Sequence, residues 1–140
     1  MTDLHALFDD LVRVEILLWD AVDGHLRREL GLPLGRIQAL RAIGGRPDCR
    51  VQDVADALAV TVGAVSKLVD RLEAGGLCVR RANPADRRSS IIEATAAGRD
   101  VLARAQSLVD AKLRACLATT PPDELAGLAA LLAGARKRLI

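Results

Sequence analysis

Tyrosine is absent from this 140-residue chain, and its aromatic side chains are Phe8 and Trp19 alone. A core without rings has to be assembled from Leu, Val, Ile and Ala, a composition that favours helices. Cysteine is scarce: Cys49, Cys78 and Cys116 are an odd number at wide spacing. That excludes a disulfide framework and the short Cys pairs of zinc knuckles or redox motifs. Long hydrophobic runs are missing too. The longest uncharged apolar stretch, Leu125 to Ala135, falls well short of the roughly 20 residues a membrane span needs. No basic segment followed by an apolar one precedes Asp3, Asp9 and Asp10, so no secretory signal is visible and a cytoplasmic location is expected. Nor does one sign of charge dominate. A net charge of +2 announces no polyanionic partner, so any such reading has to rest on where the charge sits.

What is present is an ordinary globular balance, 51% apolar and 27% charged, which fits one compact domain. Apolar residues at Leu4, Leu7, Phe8, Leu11, Leu18, Trp19, Val22, Leu26 and Leu30 keep helical spacing, ended by Gly31 and Pro33. Val12, Val14, Ile16 and Leu17 widen that stripe, so two sides of the helix are expected to be covered, the second by a partner chain. A second helix is predicted from Leu34 to Ile43, stopped at Gly44-Gly45, with a loop to about Arg50. Val51 to Leu58 and Thr61 to Glu73 read as short helices around a turn at Ala59-Val60. Strands are expected over Leu77 to Arg81 and Ser89 to Ala94, joined by the turn formers Asn83-Pro84-Ala85-Asp86. Thr95 caps a helix running to about Ala118, and Thr120-Pro121-Pro122-Asp123 opens the last one as a cap, a first-turn proline and an acid. The predicted fold is mainly α with a small β-hairpin.

The segment Val51 to Asp70 meets the demands of two helices packed across a tight turn. Val54, Leu58, Val60, Val65 and Leu68 are apolar where the helices face each other, and Ala55 is small at their closest approach. Ala59 stands where a left-handed backbone often calls for glycine. On the second helix Val62, Val65, Leu68, Val69 and Leu72 share one side, leaving Gly63, Lys67 and Asp70, flanked by Ala64, Ser66 and Arg71, on the other. Gly63 and Ala64 permit close approach to a groove, and Ser66 and Lys67 supply donors for bases or phosphates. Thr61 caps amides that favour an anion. Between Leu77 and Ser90, Arg80, Arg81, Arg87 and Arg88 face only Asp86, and such a loop can neutralise phosphates or enter a minor groove. Asp86 is expected to orient an arginine by a charge-assisted bond, and Ser89 closes the same loop.

These residues resemble the MarR family of bacterial regulators. The likeness lies in Ser66-Lys67-Leu68-Val69-Asp70-Arg71-Leu72-Glu73, in Gly76-Leu77 and Arg80, and in Asn83-Pro84-Ala85-Asp86-Arg87-Arg88, which is similar to the family's wing motif of an acid, any residue and an arginine. Thr95 and Gly98 fall where the family starts its long fifth helix. The resemblance implies a six-helix winged helix-turn-helix homodimer, with residues 1–30 and 95–140 as dimerisation helices and 31–94 as the DNA-binding lobe. It implies that the helix from Thr61 enters the major groove of double-stranded DNA and Arg88 the minor groove. The expected DNA-binding set is Thr61, Gly63, Ala64, Ser66, Lys67, Arg71, Arg80, Arg81, Asp86, Arg87, Arg88 and Ser89. Family members commonly act as repressors released by a small aromatic acid or phenol. No cysteine precedes Cys49, which argues against the peroxide-sensing branch, and His5 and His25 lie far apart on one helix, so no metal or other cofactor is expected. Without tyrosine, a phenol pocket would have to use Trp19, His25, Arg27 or backbone groups.

Two rival readings are an enzyme and a winged helix serving protein contacts only. The first lacks a glycine-rich phosphate loop, and neither histidine neighbours a Ser or Cys motif. The second shares the fold, which does not fix its use, but leaves the arginine-rich loop unexplained.

Overall fold

Asp3 begins the first helix: its carboxylate accepts the otherwise orphaned N–H groups of His5 (3.0 Å) and Ala6 (3.2 Å). The computed structural model, which describes residues 1–140, shows one unbroken α1 over Leu4–Leu30, closed by Gly31 in the left-handed region at φ 67°. Asp23 couples this helix to the next. Its carboxylate accepts the backbone N–H of Leu34 (2.8 Å), at the start of α2 (Leu34–Gly44), and pairs with Arg27 (2.8 Å). Those partners, the Leu34 N–H foremost, hold the Asp23 carboxyl below its usual range.

Helix α3 (Val51–Leu58) begins with a reciprocal use of Asp53, which accepts the Arg50 N–H at 2.9 Å and pairs with Arg46 at 3.2 Å. Ala59 then turns the chain with φ 54° and ψ 44°, the left-handed geometry expected at that point. Thr61 caps α4 (Val62–Ala74), its Oγ1 accepting from the Ala64 N–H at 3.1 Å. Strands β1 (Cys78–Ala82) and β2 (Ser90–Ala94) pair antiparallel, with Arg80 opposite Ile92. Both start one residue later than the sequence pattern predicts. An isolated bridge extends the hairpin where the Ile92 N–H donates to the Cys49 carbonyl at 2.7 Å. Helix α5 (Ala96–Cys116) follows Thr95 directly and stops two residues short of the predicted end, and α6 spans Pro122–Leu139. Thr120 does not cap α6: Pro121 holds the cap position without a side-chain bond, and Pro122 occupies the first turn, where its missing N–H costs nothing.

Two cores share α5. The first joins α2, α3, α4 and the hairpin through Leu40, Ile43, Val54, Val65, Leu72 and Ile92. The second joins α1, α2 and α5 through Val22, Leu26, Leu34, Ile37 and Ala105. Val101 and Leu102 touch both. Cys49 and Cys78 are fully buried in the first core, and burial pushes both thiols up, Cys78 to about 11. Neither is poised as a thiolate. Cys116 is exposed.

Val60 and Val62 depart from expectation, since both are exposed. They flank the cap Thr61, and α4 meets the core only from Val65, one turn further on. Leu58 and Leu68 pack against the core and Ala55 is buried within it, in keeping with the pattern. No helix is long and apolar enough to cross a membrane.

Candidate nucleic-acid interface

Helix α4 with its cap Thr61, strand β1 and the loop between β1 and β2 carry every candidate residue, and ion pairing divides their cations into two kinds. Arg80, on β1, reaches back to α4. Its guanidinium meets Asp70 at 2.7 Å and Glu73 at 3.2 Å, and donates to the Ser66 carbonyl at 3.5 Å, while its backbone N–H donates to Glu73 at 2.9 Å. The side chain is only 27% exposed. Desolvation opposes its charge, yet the hydrogen bond and charge of Asp70, aided by Glu73, raise its pKa. Arg81 is held by Glu93 at 2.6 Å and by Asp48 at 2.9 Å. Arg80 and Arg81 are thus each engaged by two carboxylates of the same chain.

Lys67, Arg71, Arg87 and Arg88 differ: all four are exposed, and none enters an ion pair. The acids that would repel a polyanion from α4, Asp70 and Glu73, are those that Arg80 engages, one guanidinium between two carboxylates. The exposed side of the helix therefore presents Lys67 and Arg71 against acids whose joint charge Arg80 halves. At the start of α4, Thr61, Gly63 and Ala64 are exposed. A Cβ built on Gly63 meets nothing nearer than the Thr61 hydroxyl at 4.0 Å, so nothing within this chain requires glycine there. Ser66 is half-buried, with its carbonyl turned to Arg80.

The loop tip is built by its own polar side chains. Asn83 accepts the Ala85 N–H (3.0 Å) and donates to the Ser89 hydroxyl (3.0 Å). Asp86 does not orient an arginine side chain as expected: its carboxylate accepts the Arg88 backbone N–H at 2.9 Å. Two residues apart in a tight turn, the amide is the nearer donor, and the result is an Asx turn that shapes the loop. Both guanidiniums at the tip are left unengaged.

Sequence reasoning treated all four loop arginines alike and missed the Arg80 and Arg81 networks. A signal existed for Arg80. Asp70 and Glu73 lie on neighbouring positions of α4, and two acids on a face proposed for a polyanion call for an internal cation.

Two clefts flank α5. One, of about 410 Å³, lies between the loop after α2, β2 and α5, with Ile43, Pro47, Leu102, Arg99 and Gln106 in its walls. The other, of about 280 Å³, lies between α2 and α5 and includes Ile37, Arg41, Leu102, Val109 and Asp110. Trp19, His25 and Arg27 line neither.

The MarR family model matches residues 30–89, which hold α2, α3, α4 and the hairpin through its loop. No curated protein matches the chain. Among solved structures, a MarR-family transcriptional regulator from Rhodococcus sp. RHA1 is similar at TM-score 0.85 and 26% identity, covering 94% of this chain and 93% of that one. Sco3205, a MarR-family regulator from Streptomyces coelicolor solved in complex with DNA, is similar at TM-score 0.83 and 26% identity, over 96% and 86% of the two chains. CouR from Rhodococcus jostii RHA1, solved with p-coumaroyl-CoA, is similar at TM-score 0.77 and 28% identity, over 87% and 85%. The family match on the lobe and the structural likeness along nearly the whole length agree: residues 30–89 match the MarR family, and the chain as a whole is similar to winged helix-turn-helix regulators of that family.

Proposed function

We propose that the protein is a sequence-specific DNA-binding transcription regulator, a binding protein and not an enzyme, that works as a symmetric dimer in the bacterial cytoplasm. In this reading α4 enters the major groove, with Thr61, Gly63, Ala64, Ser66 and Lys67 nearest the bases and Arg71 nearer the backbone. The loop between β1 and β2 carries Arg87 and Arg88 to the adjacent minor groove, shaped by Asp86 and Ser89. Arg80 and Arg81 brace the lobe. The observation that carries the proposal is the division of charge: the acids on the α4 side are engaged internally by Arg80, and four exposed cations are left without partners.

Residues 31–94 form the reading lobe, and residues 1–30 and 95–140 the dimer. Exposed apolar side chains along α1 and α6, among them Phe8, Leu17 and Leu131, support that division, because a surface of this kind marks an interface. The family's habit and the CouR complex support release from DNA by a small aromatic effector, with the clefts beside α5 as its seat.

The test is a salt titration of binding to duplex DNA enriched from genomic fragments. If all four cations of each protomer neutralise phosphates, log K falls against log salt with a slope of about −7. Salt-independent or undetectable binding would leave only a protein-contact module.

A further inference from the structure

We infer that Thr95 and Gly98 set the distance between the two reading lobes, and with it the half-site spacing the dimer accepts. The inference rests on the DNA-binding reading above and adds a specificity-determining role for residues that touch no DNA.

Helices α2 and α5 both pack in the two cores, and of the pair only α5 belongs to the proposed dimer framework. Its start is fastened to Gly76 and Leu77, just beyond the end of α4. The Thr95 hydroxyl donates to the Gly76 carbonyl at 2.6 Å and at the same time accepts the Gly98 N–H at 3.0 Å, as the cap of α5. The Thr95 N–H donates to the Leu77 carbonyl at 3.1 Å. Gly76 sits at φ 72°, which lets the chain double back so that the Leu77 N–H reaches the Leu72 carbonyl at 2.9 Å. Gly98 completes the junction. It is buried, and a Cβ placed on it would lie 2.0 Å from the Leu77 carbonyl oxygen and 3.0 Å from its carbon.

Any side chain at position 98 must therefore drive the first turn of α5 away from the end of α4. The obstacle is backbone, so no rotamer change relieves it. Further along, α5 packs on α1 through Ala105 in the second core, where the dimer framework lies in the proposed reading. The junction is then the joint between the recognition helix and that framework. A displacement there changes where each lobe stands relative to the two-fold axis. An ordinary helix cap would do less: it would stabilise α5 without tying its angle to the residues after α4.

Two measurements test this on the full-length dimer. In the first, wild type, Gly98→Ala, Thr95→Val and Thr95→Ser select from duplexes carrying two half-sites at systematically varied spacing. In the second, spin labels on Ala57→Cys, an exposed position of α3, in a Cys116→Ser background report lobe-to-lobe distance without DNA. Gly98→Ala and Thr95→Val are expected to stay dimeric, to bind the wild-type spacing at least about tenfold more weakly, the cost of roughly one misread base pair, and to accept altered or broader spacings. Their distance distributions should shift or widen. Thr95→Ser keeps the hydroxyl and should behave as wild type. If Gly98→Ala does not fold, Thr95→Val carries the test alone. Folded dimeric variants with wild-type spacing preference and wild-type distances overturn the inference. A wild-type protein that selects no DNA defeats the DNA-binding reading instead, while the distances still decide whether this junction places the lobes.

Discussion

The lobe between α2 and β2 closes upon itself, whereas the N-terminal half of α1 and the whole of α6 do not. Leu40 is fully buried, while Phe8 is 63% and Leu131 71% exposed. No residue of α6 is buried. Both regions are rich in aliphatic residues with helical period, so periodicity records that a face is to be covered and not what covers it. One region finds its cover within the chain, and the other does not.

The sharpest break of that contrast is a matched pair of truncations. Leu40→Ala should destabilise the protein by about 2–5 kcal/mol, since it opens a cavity in a filled core. In the separated chain Leu131→Ala should change stability by less than about 0.5 kcal/mol. Chemical denaturation at several protein concentrations separates the two. Equal effects would show that α6 packs within its own chain. Next in size is association: Phe8→Asp with Leu131→Asp should convert a micromolar dimer to monomer in sedimentation velocity, and a dimer that survives both charges would place the interface elsewhere.

The wing carries a smaller version of the same contrast between engaged and unengaged groups. Arg88→Ala should weaken binding and reduce the salt slope by about 2 per dimer, the loss of one DNA-facing cation in each protomer. Arg80→Ala should also weaken binding, by freeing Asp70 and Glu73 and loosening β1 from α4, but with the slope unchanged. Equal slope changes for the two variants would return Arg80 to the list of direct contacts.

How much of this was legible beforehand follows from what is local. Helices α1 to α4 were readable because caps and stops sit beside the periodic stripes they bound: Gly31, Gly44-Gly45, Thr61, and Ala59 at the turn. The Asp86 turn and the partners of Arg80 were not, because a side chain's choice between a nearby amide and a distant acid depends on distances that folding alone creates. Asp48 reaches Arg81 across 33 positions. The isolated bridge from Cys49 to Ile92 was invisible for a similar reason, being a strand of one residue.

Acid should act on the closed lobe more than on the arms. Asp53 has its carboxyl held below the usual value of 3.8, chiefly by the Arg50 N–H, with Arg46 and Arg50 assisting. A depressed folded-state pKa contributes stability that is present above the unfolded value and lost as pH falls through the folded one. Asp53→Asn should therefore flatten the fall of the thermal midpoint below about pH 4. An unchanged acid limb would mean that other carboxylates govern it.

The smallest expected effect lies at the turn between α3 and α4. Ala59 holds φ 54°, where a Cβ crowds its own carbonyl at a cost of about 1–2 kcal/mol. Ala59→Gly removes that strain but enlarges the freedom of the unfolded chain by about 0.4–1 kcal/mol. The residue is exposed, so no packing is lost, and the balance should be a gain of up to about 1 kcal/mol. Denaturant unfolding of the Phe8→Asp, Leu131→Asp monomer reads this change without the contribution of the dimer. A destabilised Ala59→Gly would mean that the left-handed alanine stiffens the turn more than it strains it. The helix-turn-helix would then owe its geometry to the turn itself, and not only to Val54, Val65 and Val69 beneath it.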